Sequence, residues 1–218
     1  MENFDKSEIL NRVEKSIKSD ENILNRGYQG KVYFYQDGER KFVVKAPIGR
    51  GLGRFIRQAM IRHEAKVYSR LNGISGVPHC HGLVGNRYLV LDYIDAEPFE
   101  HARIEDHEAF FEELLALIKE LHKIGIAHTD LKKKDNLLVA DEKRPYVVDF
   151  GVAVIRKPGF APVNHWLYRI ASTFDFNAWV KLKYDGQYEI MSERDATYYN
   201  RTVVEKVARW IKENIMRR

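Results

Sequence analysis

A chain of 218 residues with 44% hydrophobic side chains can bury one large domain or two small lobes around a shared cleft, which excludes disorder as the default. Its 36 Lys and Arg against 31 Asp and Glu give a formal charge of +5 with both signs interspersed, a mild attraction for anions that falls short of a nucleic-acid signature. Cys80 is the single cysteine, so an intramolecular disulfide is excluded; no window approaches a membrane span or a signal peptide, and the expected compartment is the cytoplasm.

In chain order, residues 7–19 place Ile9, Leu10, Val13 and Ile17 at helical spacing and predict a short amphipathic brace. Segments 31–35 and 41–45, rich in β-branched and aromatic residues, flank Asp37-Gly38 and predict a hairpin. Residues 55–71 repeat apolar positions at a helical period that stops at Asn72-Gly73. Two further strands, 82–84 and 87–91, meet at Gly85-Asn86.

Segment 92–98 turns acidic and ends in Pro98, which cannot donate to a strand ladder, so it reads as a linker. A boundary between residues 1–94 and 95–218 is placed there. A helix over 106–124 follows, with Phe110, Leu114, Leu117 and Leu121 on one face and Gly125 as its stop. Short strands are expected at 137–139 and 146–148. The remainder reads as mostly helical, best at 195–216, where Val203, Val207, Trp210 and Ile211 share a face.

Five segments carry chemistry. Asn25-Arg26-Gly27-Tyr28-Gln29-Gly30-Lys31-Val32 enters the first hairpin strand, and its glycines would let backbone N–H groups approach an anion; a plain turn carries the same letters. Lys45 follows fifteen residues after Gly30, and Glu64 nineteen further on. Glu64 is the only acidic residue between positions 55 and 71 and so a candidate partner for Lys45, which by itself reads as an exposed strand lysine. His128-Thr129-Asp130-Leu131-Lys132-Lys133-Lys134-Asp135-Asn136 and Val148-Asp149-Phe150-Gly151 complete the set.

In this order the segments resemble the protein-kinase superfamily over about residues 24–154, with Asn25 where the usual loop has its first glycine. The resemblance implies an α+β, bilobal fold: a β-rich N-lobe with one main helix and a reduced, mainly α C-lobe, one kinase domain in all. It implies ATP and Mg2+ as cofactors, Asp130 and Lys132 as catalytic residues, and Asn136 and Asp149 as metal ligands. Nucleotide contacts are implied for Gly27, Gly30, Val32, Lys45 and Glu64 and, at the start of the linker, for Asp92 and Ile94.

The loop departs from the family at one point. Five residues rather than four separate Asp130 from Asn136, while the thirteen-residue step to Asp149 is the usual one. The extra residue therefore lies within 132–135, and Lys133 or Lys134 is an alternative to Lys132 at the γ-phosphate.

Within the superfamily the chain is similar to RIO-type protein kinases and lipopolysaccharide-core (Kdo-type) sugar kinases. Aminoglycoside phosphotransferases resemble it less, since they commonly lack the phenylalanine after the metal-binding aspartate. After Gly151 only 67 residues remain, without Ala-Pro-Glu, which points to a minimal kinase. Asp130-Leu131-Lys132 resembles serine/threonine kinases, so transfer to a protein hydroxyl, self-modification included, is the expected function. The alternatives are a lipopolysaccharide-core sugar or other small-molecule kinase, and a nucleotide-binding pseudokinase interaction module. Retention of Lys45, Glu64, Asp130, Asn136 and Asp149 argues against the last. No specific nucleic acid and no transmembrane segment are expected; membrane contact would be peripheral.

Three features read as decoys. Gly49-Arg50-Gly51-Leu52-Gly53 has Arg54 where a dinucleotide fingerprint needs its third glycine, and reads as a basic loop. His79-Cys80-His81 lacks a suitably spaced fourth ligand for a metal. Trp166, Trp179 and Trp210 are expected in packing.

Overall fold

The computed structural model describes residues 6–27 and 30–200. Helix α1 (Lys6–Ser19) leads into β1 (Ile23–Gly27), β2 (Gly30–Asp37) and β3 (Arg40–Ala46). Helix α2 (Gly51–Tyr68) follows, then β4 (Cys80–Val84) and β5 (Tyr88–Asp92). The five strands form one antiparallel sheet in the order β1-β2-β3-β5-β4.

Strand alternation sorts the two faces of this sheet. Tyr33, Tyr35, Phe42, Val44, Tyr88 and Val90 turn to one side, where Val13 of α1 and its neighbours Leu10 and Ile17 cover them. Leu89 and Leu91 turn to the other, against Ile61, Val67 and Tyr68 of α2. A helix on each face thus fixes the register, because a slip of one residue would exchange the two sets.

The second part is mainly helical. A short strand β6 (Glu97–Pro98) precedes α3 (His107–Lys123), and β7 (Ile126–Ala127), β8 (Leu137–Ala140), β9 (Arg144–Val147) and β10 (Val154–Ile155) frame the loops. Helices α4 (Pro162–Lys183) and α5 (Glu193–Ala196) come last. Asp106 caps α3 by accepting from the Ala109 N–H at 3.0 Å. Buried Trp179 of α4 donates its indole N–H to the Phe111 carbonyl at 2.8 Å, tying α4 to α3. This α+β arrangement, an N-terminal antiparallel sheet followed by a helical part, is consistent with the protein-kinase-like fold.

Several expectations need correction. Helix α2 begins at Gly51, so Gly51, Leu52 and Gly53 of the supposed basic loop belong to its first turn. Arg50 at the N-cap offers no side-chain cap and Gly51 has φ +58, so none of the usual start signals was present to read. Glu97 and Pro98 pair with Val139 and Leu138 on an edge, where a missing N–H is tolerated, so the linker is shorter than read. Trp166 is exposed, whereas Trp179 is fully buried. Of the helix expected over 195–216, residues 201–216, with Trp210, lie outside the described residues; within them α5 is a single turn.

Candidate functional site

Lys45 sits in β3 opposite Val32 of β2 and Leu89 of β5, so it emerges on the face turned toward α2. Its ammonium donates to Glu64 Oε1 at 2.6 Å and to Asp149 Oδ1 at 3.0 Å. Three segments far apart in sequence thus converge on one cation. The Glu64 side chain is fully buried and that of Lys45 nearly so.

Burial works against the Lys45 ammonium, but Glu64 and Asp149 more than offset it and hold its pKa above the ordinary lysine value. Burial pushes Glu64 upward against the opposing pull of Lys45. For Asp149 the desolvation is outweighed by Lys45, and its pKa lies below the usual carboxylate value. Asp149 is therefore an anion at neutral pH with one oxygen on Lys45 and the other available. Its φ of +66 is an unusual conformation for a non-glycine residue, of the kind that concentrates at working sites.

The loop before Asn136 is held by its own backbone. Lys133 N–H donates to the Asp130 carbonyl at 3.3 Å and Asn136 N–H to the Lys133 carbonyl at 2.9 Å, with a 3-10 turn over Lys134–Asn136. Buried Asn136 donates its amide to the Asp130 carbonyl at 3.0 Å and to Asp130 Oδ2 at 3.3 Å. Its amide oxygen remains for a cation. The Val148 N–H donates to the Asn136 carbonyl at 3.0 Å, which brings Asp149 next to this turn.

The lysines of this loop differ in their surroundings. Lys134 reaches Glu100 at 3.8 Å. Lys133 is exposed, and its charge is felt at Asp149, helping to lower that carboxyl's pKa. Lys132 is exposed, and no contact of its side chain favours it over Lys133.

The remaining expected residues are placed as follows. Gly27 and Gly30 are paired at the tip of the β1–β2 hairpin, and residues 28–29 lie outside the described residues. A Cβ on Gly30 would sit 2.0 Å from the Ala46 carbonyl oxygen, so close strand approach is reason enough for that glycine. Asp92 ends β5 with its carboxylate on His81 Nε2 at 2.6 Å and its N–H donating to the His79 carbonyl at 2.9 Å; Ile94 follows just after the strand.

Two supporting residues escaped sequence reasoning. Asp175 of α4, 1% exposed, accepts from the His128 N–H at 2.8 Å, the Thr129 N–H at 2.7 Å and His122 Nε2 at 2.9 Å. It is the only acidic residue in that 22-residue helix, the same signal that singled out Glu64. Tyr68 of α2 meets Phe150 edge-on at 5.2 Å, and Phe150 meets His128 at 4.7 Å, a continuous aromatic stack from α2 to the loop.

His128 closes this framework. Its Nε2 donates to the Val148 carbonyl at 2.9 Å, and its Nδ1 accepts from the Asp130 N–H at 3.3 Å. Only the neutral ring can do both, and burial lowers its pKa from 6.5.

A metal fits this donor set. Mg2+ takes few protein ligands and completes its shell with water and phosphate oxygens, so the free oxygens of Asp149 and Asn136 suffice. Among the described residues no group of three or more His, Cys, Asp and Glu could hold a metal unaided.

Comparison with known proteins follows the same line. The chain is 28% identical over 141 residues to the serine/threonine-protein kinase greatwall of Bos taurus, covering 61% of this chain and 16% of that protein. It is 24% identical over 111 residues to a probable serine/threonine-protein kinase, fnkB, of Dictyostelium discoideum, covering 46% of this chain and 20% of the relative. A third, sperm motility kinase 3A of Mus musculus, is 33% identical over 79 residues, covering 33% and 16%. These matches support the protein-kinase-like superfamily. The chain spans a fifth or less of the length of these relatives, and no family model matches it. The finer likeness to RIO-type and lipopolysaccharide-core kinases gains no support from them. No helix among the described residues is long and apolar enough to cross a membrane.

Proposed function

We propose that the chain is an ATP-dependent phosphotransferase that moves the γ-phosphate to a hydroxyl, with serine or threonine of a protein as the favoured acceptor. The observation that carries this is the single Lys45 ammonium bonded to both Glu64 and Asp149 beside the Asp130–Asn136 turn. In this reading residues 1–94 form the N-lobe and 95–218 the C-lobe of one kinase domain, in the cytoplasm.

Lys45, kept charged by its two carboxylates, meets the α- and β-phosphates, and Glu64 fixes its direction. Gly27, Gly30 and Val32 cover the phosphates and base, while the backbone of Asp92 and Ile94 meets the adenine. Asn136 and Asp149 hold Mg2+, which supplies charge neutralisation of the phosphate oxygens. Asp130 orients the incoming hydroxyl and takes its proton, and Lys133 or Lys132 neutralises the transferring group. The distant serine/threonine kinase relatives favour a protein acceptor. Ten residues separate Gly151 from Pro162, a short segment that favours a sugar or other small hydroxyl compound as the second reading.

The test is release and transfer of label from γ-labelled ATP with Mg2+, followed by mass spectrometry of the chain and of candidate acceptors. Asp149→Ala should lose Mg2+-dependent nucleotide binding or turnover. Asp130→Ala should keep nucleotide and lose transfer. Transfer by Asp130→Ala at the parent's rate would overturn the assignment, and nucleotide binding without any transfer by the parent would leave an interaction module instead.

A further inference from the structure

Helix α4 displays an apolar side that nothing among the described residues covers. Val163, Trp166, Leu167 and Phe174 recur at helical spacing along it and are exposed, Val163 to 71% and Trp166 to 54%. Just before the helix, Phe160 follows the turn at Gly159 (φ +69) and is 97% exposed. A single exposed apolar residue is ordinary, whereas an aligned set continuous with a protruding aromatic marks a contact surface.

The turn carrying Phe160 is anchored. Asn164 accepts from the Lys157 N–H at 2.7 Å and donates to the Ile155 carbonyl at 3.0 Å, and His165 Nε2 donates to the Lys157 carbonyl at 2.9 Å. The residues before Phe160 are therefore fixed to α4 in advance. Beside them lies an open hollow of about 540 Å³, lined by Arg156, His165, Trp166 and Arg169.

The charges on the segment that carries this face are of one sign. Between Asp149 and Asp175 the sequence contains Arg156, Lys157 and Arg169 and no Asp or Glu. The same composition recurs in the first turns of α2, where exposed Leu52 and Phe55 accompany Arg50 and Arg54, with no acid between Glu39 and Glu64. Aromatic and aliphatic groups that project outward, on segments whose only charges are cationic, match the boundary between acyl chains and anionic headgroups.

We propose that α4 and the turn before it form a docking surface for an anionic phospholipid bilayer. Phe160, Val163 and Trp166 enter the interfacial layer, and Arg156, Lys157 and Arg169 meet the headgroup phosphates. This surface does not depend on the phosphotransfer reading.

The test is co-sedimentation of the full chain with vesicles of two parts phosphatidylcholine to one part phosphatidylglycerol, and with vesicles of phosphatidylcholine alone. Binding is expected to the anionic vesicles, weakening with salt, and not to the neutral ones. Phe160→Ser with Trp166→Ser should lower the partition coefficient by about tenfold or more. Arg156→Gln and Arg169→Gln should each lower it by about fivefold. Phe160→Ser alone, at a solvent-exposed position, keeps the test decisive should the double variant fail to fold. Absence of sedimentation with either vesicle, equal sedimentation with both, or parent-like partition of Phe160→Ser would overturn the proposal. So would a dimer, measured by analytical ultracentrifugation, that Phe160→Ser dissociates while vesicles are ignored, since a second copy would then own this face.

Discussion

Removing the Asp175 carboxylate tests how the catalytic loop is held. In Asp175→Ala the N–H groups of His128 and Thr129, which donate to Asp175 at 2.8 and 2.7 Å, lose their acceptor inside the protein. With Asp175 1% exposed, water has little access to replace it. A stranded buried donor costs about 1–3 kcal/mol, so the pair should cost about 2–6 kcal/mol. That is a large share of the 5–15 kcal/mol or so that typically separates folded from unfolded domains. Asp175→Asn keeps one acceptor oxygen and turns an N–H toward the other donors, so it should fall between Ala and the parent.

Urea unfolding followed by far-UV circular dichroism gives the stability change, and amide hydrogen exchange reports the loop itself. Faster exchange is expected at His128 and Thr129 in both variants, with little change in strands β2 and β3. An Asp175→Ala protein within about 0.5 kcal/mol of the parent, with those amides still protected, would refute the reasoning, since that is the range of ordinary surface substitutions.

Lys45→Met should slow phosphoryl transfer by roughly 10²-fold or more in a steady-state ATP assay, by analogy with the loss of other preorganised transition-state donors; unchanged turnover would contradict it. His128 is neutral when folded, with its pKa lowered from 6.5, so the unfolded chain binds the extra proton first as pH falls. Its contribution to stability is intact above pH 6.5 and drains away below it toward the lowered folded value; a His128→Gln protein should show a shallower fall over that window in pH-dependent urea titrations. Gly30→Ala would place a Cβ 2.0 Å from the Ala46 oxygen and should cost about 1–3 kcal/mol in thermal or urea unfolding, with or without nucleotide.

Much of the scaffold was legible because it rests on local periodicity. The hairpin around Asp37-Gly38, the brace over 7–19 and the α3 helix with its Gly125 stop follow from residue patterns that need no distant partner. The start of α2 was not legible, because Arg50 and Gly51 carry no cap signal. Pro98 was read as a stop since a proline inside a sheet is excluded, and only its place on an edge makes it acceptable. The site was half legible: Lys45 and Glu64 stood out by spacing and by sole acidity in a helix, while Asp175 carried that second signal unheeded in α4.

What the sequence alone determined is the order of elements and the inventory of charged groups, since both follow from short-range spacing along the chain. The tertiary structure decided which of those groups meet. Lys45 and Asp149 are 104 positions apart, yet their side-chain atoms lie 3.0 Å from each other, and Asp175 reaches back 47 positions to hold His128. Such contacts arise from packing a sheet and helices into one body, where burial raises the free-energy cost of an unpaired charge and so makes the pairing obligatory.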